Sequence, residues 1–196
     1  MKRREERPII FSTSMVKAIL EGRKSQTRRI VKFKYLANNK IGSIHKDGSG
    51  PEETIRLYPG DEGFGCPYGQ VGDTLWARET FAEINHPELK YRYKADHLNH
   101  KSVSWKPSIF MPKKACRIFL KITDIRVERL QEISEGDAID EGVNRSNLSG
   151  DWEHTPSAEY EKLWININSE KSWDENPFVL VITFERTECL KGKKKY

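Results

Sequence analysis

The residues best suited to chemistry lie in one segment, Gly22–Arg29, which reads GRKSQTRR. A lysine such as Lys24 can act as a base at neutral pH when burial or a neighbouring cation lowers its pKa. A base of that kind can turn a hydroxyl, here that of Ser25 or Thr27, into a nucleophile. The alternative interpretation is an exposed strand whose polar side chains alternate and do no chemistry.

The same segment carries arginines that are suited to an anionic or aromatic ligand. Arginine binds phosphate through paired N–H groups and stacks on nucleobases. We therefore take three arginines as candidate ligand-binding residues alongside Ser25: Arg23, Arg28 and Arg29.

Strand geometry places a condition on any site that combines Lys24 with Thr27. Residues three apart in a regular strand point to opposite faces, so the two side chains could not converge there. They can share a site only if the backbone is irregular after Gly22, or if Lys24 still belongs to a turn.

A second candidate is the acidic pair Asp140–Glu141, at the end of a helix predicted to begin at Ser134. An acidic residue at a helix C-terminus opposes the macrodipole by a few tenths of a kcal/mol or more. A cationic partner such as Lys24 or Arg29 would compensate for this cost. A solvated helix end is the alternative.

Two further groups complete the candidates. Tyr93 and Trp105 lie in irregular stretches and could stack on a base, while Pro107–Pro112 could form an apolar lid or a hydrophobic plug at the end of a barrel. His97 and His100 have helical metal-ligand spacing but no third ligand nearby, so we predict no metal site.

The elements that must position these residues are short strands, joined by long loops and separated by about three helices. We predict an α+β fold in one domain over residues 1–196: a small mixed or antiparallel β-barrel with two insertions, roughly 33–71 and 82–115. Within the first insertion, Ile41–Ile44 and Thr54–Leu57 have weak hairpin character. The predicted strands are 8–12, 24–31, 74–81, 116–130 with a bulge at Thr123–Asp124, and 178–184; the predicted helices are 14–21, 134–141 and one that begins at Thr155-Pro156.

Charge is distributed unevenly. The formal net charge is +5, yet residues 1–34 alone carry +8 and the remainder carries −3. Together with the basic tail 191–196, this excess is either an electrostatic footprint for nucleic acid or a solubilising terminus.

Three scattered cysteines are typical of a reducing compartment. The apolar run Pro8–Phe11 is too short for a signal peptide or a membrane span. We therefore expect a cytoplasmic protein that has no membrane segment.

The segment Gly22–Arg29 also resembles the hallmark G-x-K-x-x-T-x-R of the ASCH domain family, in the PUA-like superfamily. Further similar features follow in order: the turn Gly72-Asp73, a long strand, a helix and the closing strand 178–184. The runs LWARET and PSIFMP resemble those of longer, prophage-borne members. The resemblance implies a small β-barrel whose cleft, beside the motif, binds RNA or a modified nucleoside.

Some small ASCH proteins hydrolyse N4-acetylcytidine, and the resemblance implies a catalytic set of Lys24, Thr27 and Glu141 without a cofactor. This chain departs from the compact enzymes at Ser25, Gln26 and Arg28 and in its two insertions. The resemblance therefore leaves three functions open: an amidohydrolase of N4-acylated cytidine, a non-catalytic RNA-binding module, and a ribonuclease. It does not predict an oligomeric state.

Overall fold

The computed structural model describes residues 5–31, 66–85, 89–96, 103–143 and 155–187. Seven strands and four α-helices lie in these ranges. The strands are β1 Glu6–Ile10, β2 Gln26–Ile30, β3 Thr74–Arg78, β4 Phe81–Glu83, β5 Tyr91–Tyr93, β6 Phe119–Arg129 and β7 Phe178–Thr187. The helices are α1 Thr13–Leu20, α2 Glu135–Asp140, α3 Pro156–Asn168 and α4 Glu170–Asp174.

The main sheet has five strands in the order β1-β3-β6-β7-β2. β1 and β3 are parallel, and the other neighbours are antiparallel. The two terminal strands, β1 and β2, are connected by the Arg29 side chain, whose Nη2 donates to the Ile10 carbonyl at 2.8 Å. A mixed sheet with a few short helices confirms the predicted α+β class.

The helix ends follow local chemistry. Ser12, not the predicted Thr13 or Ser14, caps α1 by accepting from the Met15 amide, while Ser134 and Thr155 cap α2 and α3. Glycines with positive φ follow α1 and α2, at Gly22 (74°) and Gly142 (91°). Such a conformation disfavours residues that have a Cβ, so both predicted helix ends are confirmed.

β7 divides the core in two because its side chains alternate between the faces of the sheet. Leu180, Ile182 and Phe184 belong to a first core cluster, which includes side chains from β1, α1 and β3. Val179 and Val181 belong to a second core cluster with residues of α2 and α3, including Tyr160 and Trp164. Residues of the neighbouring β2 therefore also face one cluster or the other.

β6 confirms the predicted bulge, because its pairing with β7 shifts register between Ile122 and Asp124. Two elements differ from expectation. The stretch 82–115 is not wholly irregular: it contains part of the β4–β5 hairpin and two 3₁₀ turns, Ser108–Phe110 and Lys113–Ala115. Helix α4 was not predicted.

Several predictions fall outside the described residues: the hairpins at Ile41–Ile44 and Thr54–Leu57, the histidines His97 and His100, and the tail 191–196. In the described parts of the chain, no helix combines the length and apolar character needed to cross a membrane.

Candidate functional site

The backbone at Lys24, just before β2, is irregular. An irregular backbone after Gly22 was one of the two ways in which Lys24 and Thr27 could share a site. The amides of Arg23 and Lys24 both donate to the Ala18 carbonyl, at 2.8 and 3.1 Å. Lys24 then forms an isolated bridge with Glu141, just after α2. Its side chain lies on the same side of the strand as that of Arg28, because both contact the Glu141 carboxylate.

Lys24 and Glu141 form a buried ion pair. The Lys24 Nζ is 2.6 Å from Glu141 Oε2 and also donates to the Glu141 carbonyl at 2.8 Å. Their side chains are 0% and 2% exposed. Burial lowers the pKa of Lys24, and the Glu141 carboxylate opposes that shift. The lysine is therefore closer to a neutral base than an exposed lysine would be.

Arg28 is fully buried, and its guanidinium makes its contacts within the protein. Its Nη2 lies 2.5 Å from Glu128 Oε1, and its Nη1 donates to Gln26 at 2.7 Å. A longer contact of 3.4 Å reaches Glu141 Oε1. The guanidinium also lies over the Tyr160 ring, 5.7 Å from its centroid.

The network extends from Arg28 to Asp137 and Arg126. Arg126 contacts Glu128 at 3.0 Å and Asp137 at 2.9 Å. Burial opposes ionisation of Asp137, but hydrogen bonds from Gln26 and Ser134 and the charge of Arg126 together lower its pKa. With Lys24 and Glu141, the network combines three cations and three carboxylates, so its charges balance.

Thr27 lies on the other face of β2. It is opposite Ile182 of the first core cluster, whereas Arg28 is opposite Val181 of the second. Thr27 is 0% exposed, and its Oγ1 has no hydrogen-bond partner among the described residues. The structure thus brings Lys24 and Glu141 together and places Thr27 on the opposite side of the strand.

Arg29 shares the face of Thr27 because it is two residues further along β2. Besides its bond to Ile10, its Nη1 donates to the Arg28 carbonyl at 3.1 Å. Its guanidinium lies over the Phe11 ring, 5.5 Å from the centroid. These contacts hold Arg29 in one orientation.

The remaining two candidates of the segment make local contacts. Arg23 pairs with Glu21 and donates to the Gly142 carbonyl at 3.0 Å, so it braces the turn beside Lys24. Ser25 is half-buried, and its backbone joins α2 to β7 through bonds to Asp140 and Phe184.

A cavity of about 280 Å³ lies beside β2, which is an edge strand in the sheet formed by the described residues. One wall consists of α3 side chains with Arg28 and Glu141, and the other includes Met15, Arg29 and Tyr68. The lining residues are Met15, Arg28, Arg29, Ile30, Tyr68, Glu141, Tyr160, Leu163, Trp164, Ile167 and Asn168. Small-molecule sites start at about 300 Å³, so the volume suits a ligand the size of a nucleobase or nucleoside.

The backbone of β2 supplies further polar groups at this edge. The Ser25 carbonyl and the Val31 amide bond to β7, at Phe184 and Phe178. Because antiparallel pairing alternates, the backbone groups of the even-numbered residue Arg28 point away from β7, towards the open edge. An amide and a carbonyl on one edge could read the polar edge of a base.

Tyr93 and Trp105 are not among the residues that line this cavity. Tyr93 packs in a third cluster with Phe81 and Met111, and its hydroxyl donates to the Ala115 carbonyl at 2.7 Å. The Arg117 guanidinium covers its ring at 4.0 Å, and burial raises the pKa of Tyr93 to about 12. Trp105 is half-buried beside Lys106, which bridges to Phe81.

Sequence reasoning missed the carboxylates Glu128 and Asp137 and the role of α3 as a cavity wall. The alternating charges of Arg126 and Glu128 in β6 were a usable signal. Tyr160 and Trp164 belong to the second core cluster and also line the cavity. Across the described ranges, no cluster of three or more His, Cys, Asp or Glu side chains could hold a metal ion.

Comparison with solved structures finds similarity to an ASCH domain from Lactobacillus crispatus JV V101. The TM-score is 0.42 and the identity 14%, over 93% of this chain and 79% of the other. No protein-family model matches the chain, and no curated protein matches it in sequence.

Proposed function

We propose that this chain is an ASCH-type protein that binds a modified nucleoside, free or within RNA, in the cavity at the edge of β2. We further propose that it hydrolyses the amide of an N4-acylated cytidine. The family and the reaction come from the resemblance of Gly22–Arg29 to the ASCH motif.

The observation that carries the proposal is the composition of the cavity. Glu141 and Arg28 line it together with the aromatic residues Tyr160 and Trp164. Ligand sites characteristically combine an apolar wall with a few fixed polar groups. A nucleobase presents a flat apolar face and a polar edge, so it matches both features.

The Lys24–Glu141 pair supplies the proton chemistry. Burial favours the neutral amine of Lys24, and the 2.6 Å contact offers a direct path for a proton between the two groups. Glu141 lines the cavity and Lys24 lies behind it. The pair could therefore accept a proton at the cavity wall and return it to the leaving nitrogen.

Thr27 is the proposed nucleophile, and its buried hydroxyl supports that role. Leaving a buried polar group unpaired costs about 1–3 kcal/mol, and such groups in native structures call for an explanation. Its neighbour on the same face, Arg29, lines the cavity. An acyl group would have to pass the edge of β2 towards Arg29 to reach Thr27.

In the proposed reaction, the Thr27 oxygen bonds to the acyl carbon, and its proton passes through a water molecule at the edge of β2 to the Lys24–Glu141 pair. A backbone amide stabilises the charge on the acyl oxygen. The C–N bond then breaks, the cytosine N4 takes up a proton, and water hydrolyses the acyl-threonine to free acid and hydroxyl.

A non-catalytic RNA-binding module is the second candidate, and one observation favours it. Lys24, Glu141 and Thr27 are all at most 3% exposed. The net charge of +8 in residues 1–34 would then act on phosphates, and RNA affinity would fall steeply with salt.

The test is an absorbance assay of N4-acetylcytidine hydrolysis with wild type, Lys24→Ala and Lys106→Ala. Lys106 is a matched control because its side chain is 51% exposed and pairs with Glu83 outside the cavity. Loss of turnover in Lys24→Ala alone supports the enzyme. No turnover by wild type, with salt-sensitive RNA binding, supports the module; equal turnover in all three contradicts the role of Lys24.

A further inference from the structure

Arg29 differs electrostatically from the other charges of the cavity. Glu141 is paired with Lys24, and Arg28 is paired with Glu128. Arg29 bonds only to the neutral carbonyls of Ile10 and Arg28, and within the described ranges no carboxylate forms an ion pair with it. The cavity is therefore lined by one positive charge that no carboxylate of the described residues neutralises.

The contacts of Arg29 also make it a prepared binding group. A guanidinium has five N–H donors, and the two carbonyl bonds leave three for a ligand. The Phe11 ring supports its face. A fixed guanidinium loses little side-chain entropy when it binds an anion, and phosphate is a matching acceptor.

We propose that the cavity binds a nucleotide in preference to a free nucleoside, with a phosphate group of the ligand bound by Arg29. This inference rests on the nucleoside-binding function proposed above and names its substrate class. The phosphate could belong to a mononucleotide or to the backbone of an RNA strand, since both present the same oxygens.

The base and phosphate would occupy different walls. Tyr160, Trp164 and Glu141 lie on the α3 side of β2, and Arg29 lies on the other side. A nucleotide is extended enough to bridge the strand edge, with its base on the first wall and its phosphate on the second. A purely structural Arg29, acting only as a link between β1 and β2, would give no preference for phosphate.

The experiment measures the binding of N4-acetylcytidine, its 5′-monophosphate and a short RNA that contains N4-acetylcytidine, by calorimetry at low and high salt. The proteins are wild type, Arg29→Gln, Arg29→Lys and Arg129→Gln. Arg129 is the matched control: its guanidinium also lies over an aromatic ring, that of Phe178, and donates to a backbone carbonyl, but it does not line the cavity. Circular dichroism checks the folding of each variant.

We expect wild type to bind the monophosphate at least about tenfold more tightly than the nucleoside, because a hydrogen bond to a charged group contributes about 1.5–3 kcal/mol. Arg29→Gln should abolish this preference and keep nucleoside binding, while Arg29→Lys should retain part of the preference and Arg129→Gln all of it. High salt should reduce the preference in wild type. If the RNA binds more tightly than the monophosphate, its backbone is the source of the phosphate.

Equal affinity of wild type for nucleoside and monophosphate would overturn the inference and leave the nucleoside site standing. If wild type binds neither mononucleoside ligand nor the RNA, the proposed function itself fails. If Arg29→Gln does not fold, the salt dependence of wild-type binding tests the inference instead. A preference for the monophosphate that high salt leaves unchanged would overturn the assignment of the phosphate to a charged contact.

Discussion

Replacing Thr27 by valine should make the protein more stable and abolish its proposed activity. Valine keeps the branched shape of threonine and removes the one polar atom, whose hydrogen bonding is unsatisfied. An unpaired buried hydroxyl costs about 1–3 kcal/mol, so we expect a gain of at least about 1 kcal/mol in the free energy of unfolding. For a chain of this size that corresponds to a rise of about 2–4 °C in Tm.

The assay combines urea unfolding with N4-acetylcytidine turnover on the same preparations. Thr155→Val is the matched control: the Thr155 Oγ1 caps α3 by accepting from the Ala158 amide at 3.3 Å. The same chemical change should there cost about 1 kcal/mol.

Two results would refute this reasoning separately. A loss of stability in Thr27→Val comparable to that in Thr155→Val would mean that the buried hydroxyl has a partner in solution. A stable Thr27→Val variant with wild-type turnover would exclude Thr27 as the nucleophile.

Three further predictions concern the Lys24–Glu141 pair and its surroundings. Lys24→Met and Glu141→Gln should each lower the free energy of unfolding in urea by about 3–5 kcal/mol, because each leaves a buried charge unpaired. The double variant should lose less than the sum of the two single losses. Additive losses would contradict the pairing. Because the pKa of Lys24 is lowered in the folded protein, Lys24 binds a proton more readily in the unfolded chain than in the folded one as the pH approaches 10.5. The stability of wild type relative to Lys24→Met should therefore rise with pH towards 10.5, and a falling difference would contradict this sign. In thermal melts, Gly142→Ala should cost about 1–3 kcal/mol more stability than Gly22→Ala. A Cβ at position 142 would lie 3.0 Å from Lys24 Cβ, whereas a Cβ at position 22 would meet nothing within 4 Å. Equal losses would show that only the positive φ matters.

The local elements of this fold could be predicted from the sequence because their signals are local. Ser134 and Thr155 cap helices through amides three residues ahead, and Gly22 and Gly142 end helices by conformational freedom. The bulge in β6 likewise follows from a break in alternation. Each of these features depends on residues within one or two turns of chain.

The ionic network could not be predicted in this way. Arg28 and Glu128 are 100 residues apart, and only the register of β2, β7 and β6 brings them together. Arg28 was a candidate ligand-binding residue from its type alone, and nothing near it in the sequence indicates its ion pair with Glu128. The carboxylates that contact it are remote in sequence.

Glu141 is an intermediate case. Its unfavourable place at a helix end indicated a distant cation, and the motif resemblance indicated Lys24. The structure shows the two in contact at 2.6 Å. Their catalytic roles stay predictions, because a buried ion pair can also serve folding alone.

The position of β2 at the edge of the sheet explains how one short segment can serve two walls of a cavity. In a central strand, the neighbouring strands would separate Arg28 on one face from Thr27 and Arg29 on the other. At an edge the two faces meet around the open side, and the cavity extends over both. If Thr27 and Glu141 share a ligand, as proposed, that ligand must reach around the edge of β2. A variant that pairs this edge with an added strand should consequently lose binding altogether, even with all the proposed catalytic side chains intact.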